Sequence, residues 1–220
     1  MVNKIKNGIV WIRTPKCATS TLAIHLENFC KWKGMRYTPS TEHNSMAPNK
    51  YVNLGHLWGG NVNWDVINRE DRAVIGSIRN PLDRFISHYK HHVKLKTYIS
   101  YEDDVSSFYL ENYHNTHFEN FFKGLDNYLC KYLGIGDDTG WDTQLLDDRY
   151  DLIFASEYIP PGLDKFEKFT GYTFENKDLK ENVNFDKKQI ITKEFLELFR
   201  KNNRNDYELY NYVVEKYGYR

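Results

Sequence analysis

The chain has 220 residues, 30 of them lysine or arginine and 30 aspartate or glutamate, for a formal net charge of zero at pH 7. That length suits one domain with its own core, read as a single unit over residues 1–220, and the charge balance excludes a polyelectrolyte that coats nucleic acid. Any charged ligand has to be held by a local cluster. The residues before the first motif offer no run long enough for a signal peptide or membrane anchor. Cys17, Cys30 and Cys130 are odd in number and lack metal-type spacing, and no asparagine stands in an N-x-S/T sequon. These features predict a soluble, cytoplasmic protein with neither a nucleic acid nor a membrane as partner.

In chain order, the short β-branched runs GIVWI (Gly8 to Ile12), AVIGSI (Ala73 to Ile78) and DLIFA (Asp151 to Ala155) predict strands buried on both faces. Each is followed by apolar residues at helical spacing. Leu22, Leu26 and Phe29 follow the first, and Leu82, Phe85, Ile86, Tyr89 and Val93 the second. Leu163, Phe166 and Phe169 follow the third, behind a Pro-Pro pair that suits a helix start. Strand then helix, three times over, predicts an α/β fold with a central parallel sheet flanked by helices, a P-loop-like three-layer domain. Two more helices are expected near the end, one capped by Thr192 and one by Asp206. The stretch from Lys94 to Asp148 reads as helical with an irregular surface end at GIGDDTG.

Two turns at strand ends carry the chemistry. RTPKCATST lies where a parallel strand hands over to a helix, the position at which α/β proteins bind ligands. Its backbone N–H groups, the hydroxyls of Thr19, Ser20 and Thr21 and the charge of Lys16 suit a phosphate or sulfate. It is not a Walker A loop, because no glycine occurs between Gly8 and Gly34. Nor is it a phosphatase loop, since Ala23 stands where an arginine six positions after Cys17 would be needed; Cys17 reads as a small packing residue. The second turn, RNPLDRFISHY, places Arg79 at a strand tip and Ser87 two turns into the next helix, so that fork and hydroxyl can grip one phosphate from two sides.

Together TPKCATSTL and RNPLDRFISHY resemble the cosubstrate-binding elements of sulfotransferases that use 3′-phosphoadenosine-5′-phosphosulfate, in particular the carbohydrate branch with the uronyl 2-O- and galactose 3-O-sulfotransferases. The resemblance implies that Lys16, Cys17, Ala18, Thr19, Ser20 and Thr21 line the 5′-phosphosulfate, and that Arg79 and Ser87 hold the 3′-phosphate. Arg84 matches as well, with a structural role equally open. ASEYIPPGLDKFEK and the closing NRNDYELYNYV, with its D-x-x-L-Y pattern, are similar to later family segments. NYLCKYL resembles the family's N-x-Q-x-R-x-L but has Leu129 and Lys131 in place of Gln and Arg.

Sulfuryl transfer is mostly positioning and electrostatics, so basic side chains suffice and no metal is expected. Lys16 is the candidate for the charge on the leaving phosphate. Of the eight histidines, His56 in NLGHLWGG lies between the two motifs, where the carbohydrate branch places its base. Glu27 and Glu157 are alternative bases. The pairs His88/His92 and His114/His117 have ligand spacing but lack Cys or carboxylate context for zinc. The expected partner is a hydroxyl-bearing acceptor, in keeping with the family a carbohydrate. A small kinase-like phosphotransferase and a nucleotide- or glycan-binding module without turnover remain the alternatives.

Overall fold

A computed structural model describes residues 8–38, 50–53, 64, 67, 72–96, 105–112, 125–179 and 191–219. Five strands, β1 (Gly8–Ile12), β2 (Arg36–Thr38), β3 (Lys50–Asn53), β4 (Ala73–Ile78) and β5 (Leu152–Ala155), form one sheet in the order β2-β3-β1-β4-β5. Every neighbouring pair is parallel. β1, β4 and β5 are fully buried along their length, which is why they read as unbroken apolar runs. β2 and β3 lie outside the predicted strands. Their sequences, RYT and KYVN, are short and polar and carry no such signal.

The helices are α1 (Thr19–Lys33), α2 (Pro81–Lys96), α3 (Val105–Asn112), α4 (Tyr128–Tyr132), α5 (Thr143–Arg149), α6 (Ile159–Thr170), α7 (Lys193–Asn202) and α8 (Arg204–Lys216). Alternation along the strands divides the core into two layers. Ile9, Trp11, Ala73, Ile75, Leu152 and Phe154 face Leu22, Leu26 and Phe29 of α1 and Leu163 and Phe166 of α6. Val10, Ile12, Val74, Ile78 and Ile153 face the opposite way, toward Phe85 of α2, Leu129 and Cys130 of α4, Phe199 of α7 and Leu209 and Val213 of α8. The three-layer α/β prediction thus holds.

Two details depart from the sequence reading. The described residues of the 94–148 stretch fall in the end of α2, in α3, α4 and α5 and around them, and GIGDDTG joins α4 to α5 instead of ending the helical part. Thr192 does cap α7, its side chain accepting from the Phe195 N–H at 3.2 Å. Asp206, however, does not cap its own helix. α8 begins at Arg204, and the fully buried Asp206 carboxylate accepts the N–H groups of Leu129 (2.8 Å) and Cys130 (2.9 Å), capping α4 across 77 and 76 residues of sequence. The orphan amides of one helix start have been satisfied by a side chain from another helix.

α6 also packs closely on β5. A Cβ placed at Gly162 would stand 2.7 Å from Cδ1 of the buried Phe154. Gly162→Ala is therefore expected to destabilise the fold by about 1–3 kcal/mol, read from the midpoint of urea unfolding. An unchanged midpoint would show that Phe154 can move aside.

Candidate functional site

The site starts from β1, whose carboxyl end delivers the chain into the turn before α1. Two non-glycine residues of that turn are left-handed, Lys16 at φ 65° and Ala18 at φ 52°, with Ala18 the residue that begins α1. Each such residue costs about 1–2 kcal/mol. Left-handed residues interspersed in a turn gather successive N–H groups into a concavity for an anion, and the start of α1 adds its dipole. Ala18 makes no side-chain cap, so the first-turn amides of α1 are not taken up by their own cap residue. Thr19 and Ser20 are half-buried in that turn, while Thr21 is buried.

Beneath the turn, Cys17 is wholly buried, its thiol donating to the Pro15 carbonyl at 3.6 Å and its pKa pushed up to about 12 by burial. It is a packing residue, as read from the sequence, and its side chain faces away from any ligand on the outer side of the loop. Tyr132 of α4 supports the approach to the turn by donating its hydroxyl to the Arg13 carbonyl at 3.1 Å.

The carboxyl end of β4 meets this loop. Arg79 donates from Nη1 to the Lys16 carbonyl oxygen at 3.4 Å, although 63 residues separate them in sequence. Burial and the Arg79 charge both hold the pKa of Lys16 below the usual lysine value. Two cations converge at one place, an arrangement that is unfavourable alone and relieved by an anion.

Behind Arg79, Asn80 caps α2, its Oδ1 accepting the N–H groups of Leu82 (3.1 Å) and Asp83 (3.5 Å). Glu157, just past β5, accepts the Asn80 N–H at 2.9 Å and the Tyr210 hydroxyl at 3.2 Å, and lies 4.0 Å from Arg79 Nε. Its neighbour Ser156 donates to the Ile78 carbonyl at 3.1 Å.

Arg84, one turn into α2, is fully buried, 3.9 Å over the Tyr128 ring and 3.3 Å from His88 Nδ1. Burial lowers its pKa, and the nearby Asp206 carboxylate acts against that. Its Nε, like that of Arg13, is buried without a hydrogen-bond partner among the described residues. Lys16 and Arg79 converge at this loop and suit a polyanionic ligand, so the residues present fit a phosphorylated nucleotide donor.

Of the residues singled out from sequence, the fold brings Lys16 and Arg79 together and sets Glu157 beside Arg79. Ser87 is half-buried in the second turn of α2. Glu27 is exposed on α1, about two turns beyond Thr19. His56 lies outside the described residues. Leu129 is core, and Lys131 pairs with Asp138 at 2.6 Å, so the departure from the Gln and Arg pattern is filled by a packing residue and a surface ion pair. Tyr210 and Asn80 stand within the segments quoted from the sequence but were given no role there. Their contacts join residues 53 and 77 apart, which no local pattern announces. Among the described residues no helix is long and apolar enough to cross a membrane, and no group of three or more His, Cys, Asp or Glu could hold a metal.

A search of curated proteins finds no match to this chain. The model of the sulfotransferase family does match, over residues 1–213, and so takes in the loop around Lys16, the Arg79 turn and the Glu157 segment alike. That match decides against the phosphotransferase alternative: with a P-loop-like α/β fold and an anion cradle at the carboxyl ends of β1 and β4, the chain belongs to the sulfotransferase family, enzymes that take their sulfonate from 3′-phosphoadenosine-5′-phosphosulfate.

Proposed function

We propose that the chain, acting as one domain, transfers the sulfonate to a hydroxyl of a carbohydrate, with His56 as general base. The observation that carries the donor assignment is the contact between Arg79 and the Lys16 loop, which joins the two sequence motifs at one point. The carbohydrate acceptor is supported by the likeness of both motifs to the carbohydrate branch. Three buried cysteines, all unpaired, fit a reducing compartment.

The donor supplies an activated sulfonate on a phosphate leaving group. The turn from Lys16 to Ala18 and the hydroxyls of Thr19, Ser20 and Thr21 hold its 5′ end. Lys16, a mobile ammonium at the loop, follows the charge that develops on the leaving oxygen. Arg79 and Ser87 hold the 3′-phosphate. His56 takes the proton of the attacking hydroxyl.

Calorimetric titration with adenosine 3′,5′-bisphosphate beside ATP and adenosine 5′-monophosphate tests this assignment. The bisphosphate is expected to bind best, and Arg79→Ala to weaken it by roughly 10- to 100-fold, the worth of a charge-assisted hydrogen bond, with the monophosphate little changed. His56→Ala should leave bisphosphate affinity intact and lower kcat about 10²- to 10⁴-fold on an oligosaccharide acceptor. ATP bound more tightly than the bisphosphate would sink the donor assignment, and turnover on simple phenols but not on oligosaccharides would sink the acceptor.

A further inference from the structure

Glu157 is one of the two carboxylates that the sequence offers as an alternative base, and its surroundings argue for a different task. Both of its oxygens are already accepting, Oε1 from the Asn80 N–H and Oε2 from the Tyr210 hydroxyl. Each oxygen keeps a second lone pair, so these two bonds do not by themselves decide the role; the neighbour that Glu157 faces does. What Glu157 does reach is the Nε edge of Arg79, at 4.0 Å, while Nη1 of the same guanidinium reaches the Lys16 carbonyl. Arginine carries five donors in a rigid fork. With the Nε edge facing Glu157 and Nη1 tied to the loop, rotation about the side chain's last bonds is restricted, and the Nη2 side of the fork is the one left for a ligand.

The joint on which Arg79 sits is held at three further points. Ser156 ties down the Ile78 carbonyl on the preceding residue, and Glu157 ties down the N–H of the following one. Ile78 itself pairs with Ala155 in the sheet. Tyr210, from α8, fixes the carboxylate from behind. The negative charge also stands at the start of α2, where the helix dipole favours it.

Building on the donor assignment above, we propose that Glu157, braced by Tyr210, is a positioning residue that presents the Arg79 fork to the donor's 3′-phosphate. An arginine side chain free to rotate would lose rotamer entropy on binding; one already oriented loses little. Glu157 therefore acts on affinity for one phosphate, through Arg79, and not on proton transfer.

The test is the ratio of affinities for adenosine 3′,5′-bisphosphate and adenosine 5′-monophosphate, measured by calorimetry on the full chain. In Glu157→Ala the ratio should fall by about tenfold, the scale of coupling within one polar network, while monophosphate affinity holds. Glu157→Gln, which keeps an acceptor for the Asn80 N–H, should restore part of the ratio and retain turnover. Tyr210→Phe removes the brace alone and should lower the ratio less than Glu157→Ala does, which keeps the inference open to disproof should the alanine variant fold poorly. A ratio unchanged in Glu157→Ala and in Tyr210→Phe overturns the inference while leaving the donor assignment standing. So does a Glu157→Gln protein that keeps the ratio and loses turnover, the signature of a base. A wild-type chain that does not distinguish the two nucleotides overturns the 3′-phosphate role of Arg79 and this inference with it.

Discussion

Replacing Lys16 by alanine is expected to lower the rate of sulfonate transfer by on the order of 10²- to 10³-fold, the cost of removing one donor aimed at developing charge. Bisphosphate affinity should fall as well, by roughly 10- to 100-fold, because the 5′-phosphate of the product nucleotide carries the charge that Lys16 meets. The left-handed backbone at Lys16 supplies a control. Glycine adopts φ 65° without a Cβ penalty, so Lys16→Gly should lose the same activity while matching or exceeding the wild type in resistance to urea. Activity lost together with stability in both variants would assign Lys16 to the fold instead.

The same lysine sets a pH dependence whose sign follows from its surroundings. Burial, then the Arg79 charge, holds its pKa below the usual value, so Lys16 loses its proton at lower pH than an exposed lysine would. Between the lowered folded pKa and the ordinary unfolded one, the unfolded chain binds the extra proton, and stability rises with pH across that window. A bound phosphate restores the charged form. Binding of the bisphosphate on the alkaline side should therefore take up a proton, seen as a heat that varies with the ionisation enthalpy of the buffer. Lys16→Met should abolish that variation; if it persists, another group titrates.

Asp206→Ala is expected to cost about 2–5 kcal/mol of folding stability, the cost of leaving two buried amides without an acceptor and the largest effect outside the catalytic machinery. The change removes the acceptor of two α4 amides, Leu129 and Cys130, and takes a negative charge away from the buried Arg84 guanidinium. Asp206→Asn keeps one acceptor but turns an NH₂ group toward the second amide, so it should cost about 1–3 kcal/mol. Urea midpoints order the three proteins. A loss below about 1 kcal/mol in Asp206→Ala would mean that water replaces the carboxylate, and the capping role would fall.

These expectations draw on the structure to different degrees. β1, β4 and β5 were legible because strands buried on both faces leave uninterrupted apolar runs, and the helices after them because their apolar stripes recur at helical spacing. β2 and β3 were not, since RYT and KYVN contain neither run nor alternation long enough to register. Lys16 and Arg79 stood out through local context, a lysine before hydroxyls and an arginine before an Asn-Pro helix start. Asp206 looked like a cap for the helix it belongs to, because spacing reports only neighbours in sequence. Its partners are Leu129 and Cys130, and the geometry that selects them belongs to helix packing. Glu157 suffered the same limit: a glutamate after a strand suggests a base, and its contacts with Asn80, Tyr210 and Arg79 appear only in the fold.

Tyr210 reaches the carboxylate behind Arg79, and Asp206 closes the start of α4, yet both belong to the last of the described helices to leave the ribosome. The loop, the strands and the arginine can all have emerged while the brace behind them is still missing. Contacts spanning 53 to 77 residues form late, after the loop-closure entropy has been met. A nascent chain stalled before residue 204 would expose the unfilled apolar face that Leu209 and Val213 later cover, a surface open to chaperones and to aggregation. The brace behind Arg79 thus forms only after α8 has emerged.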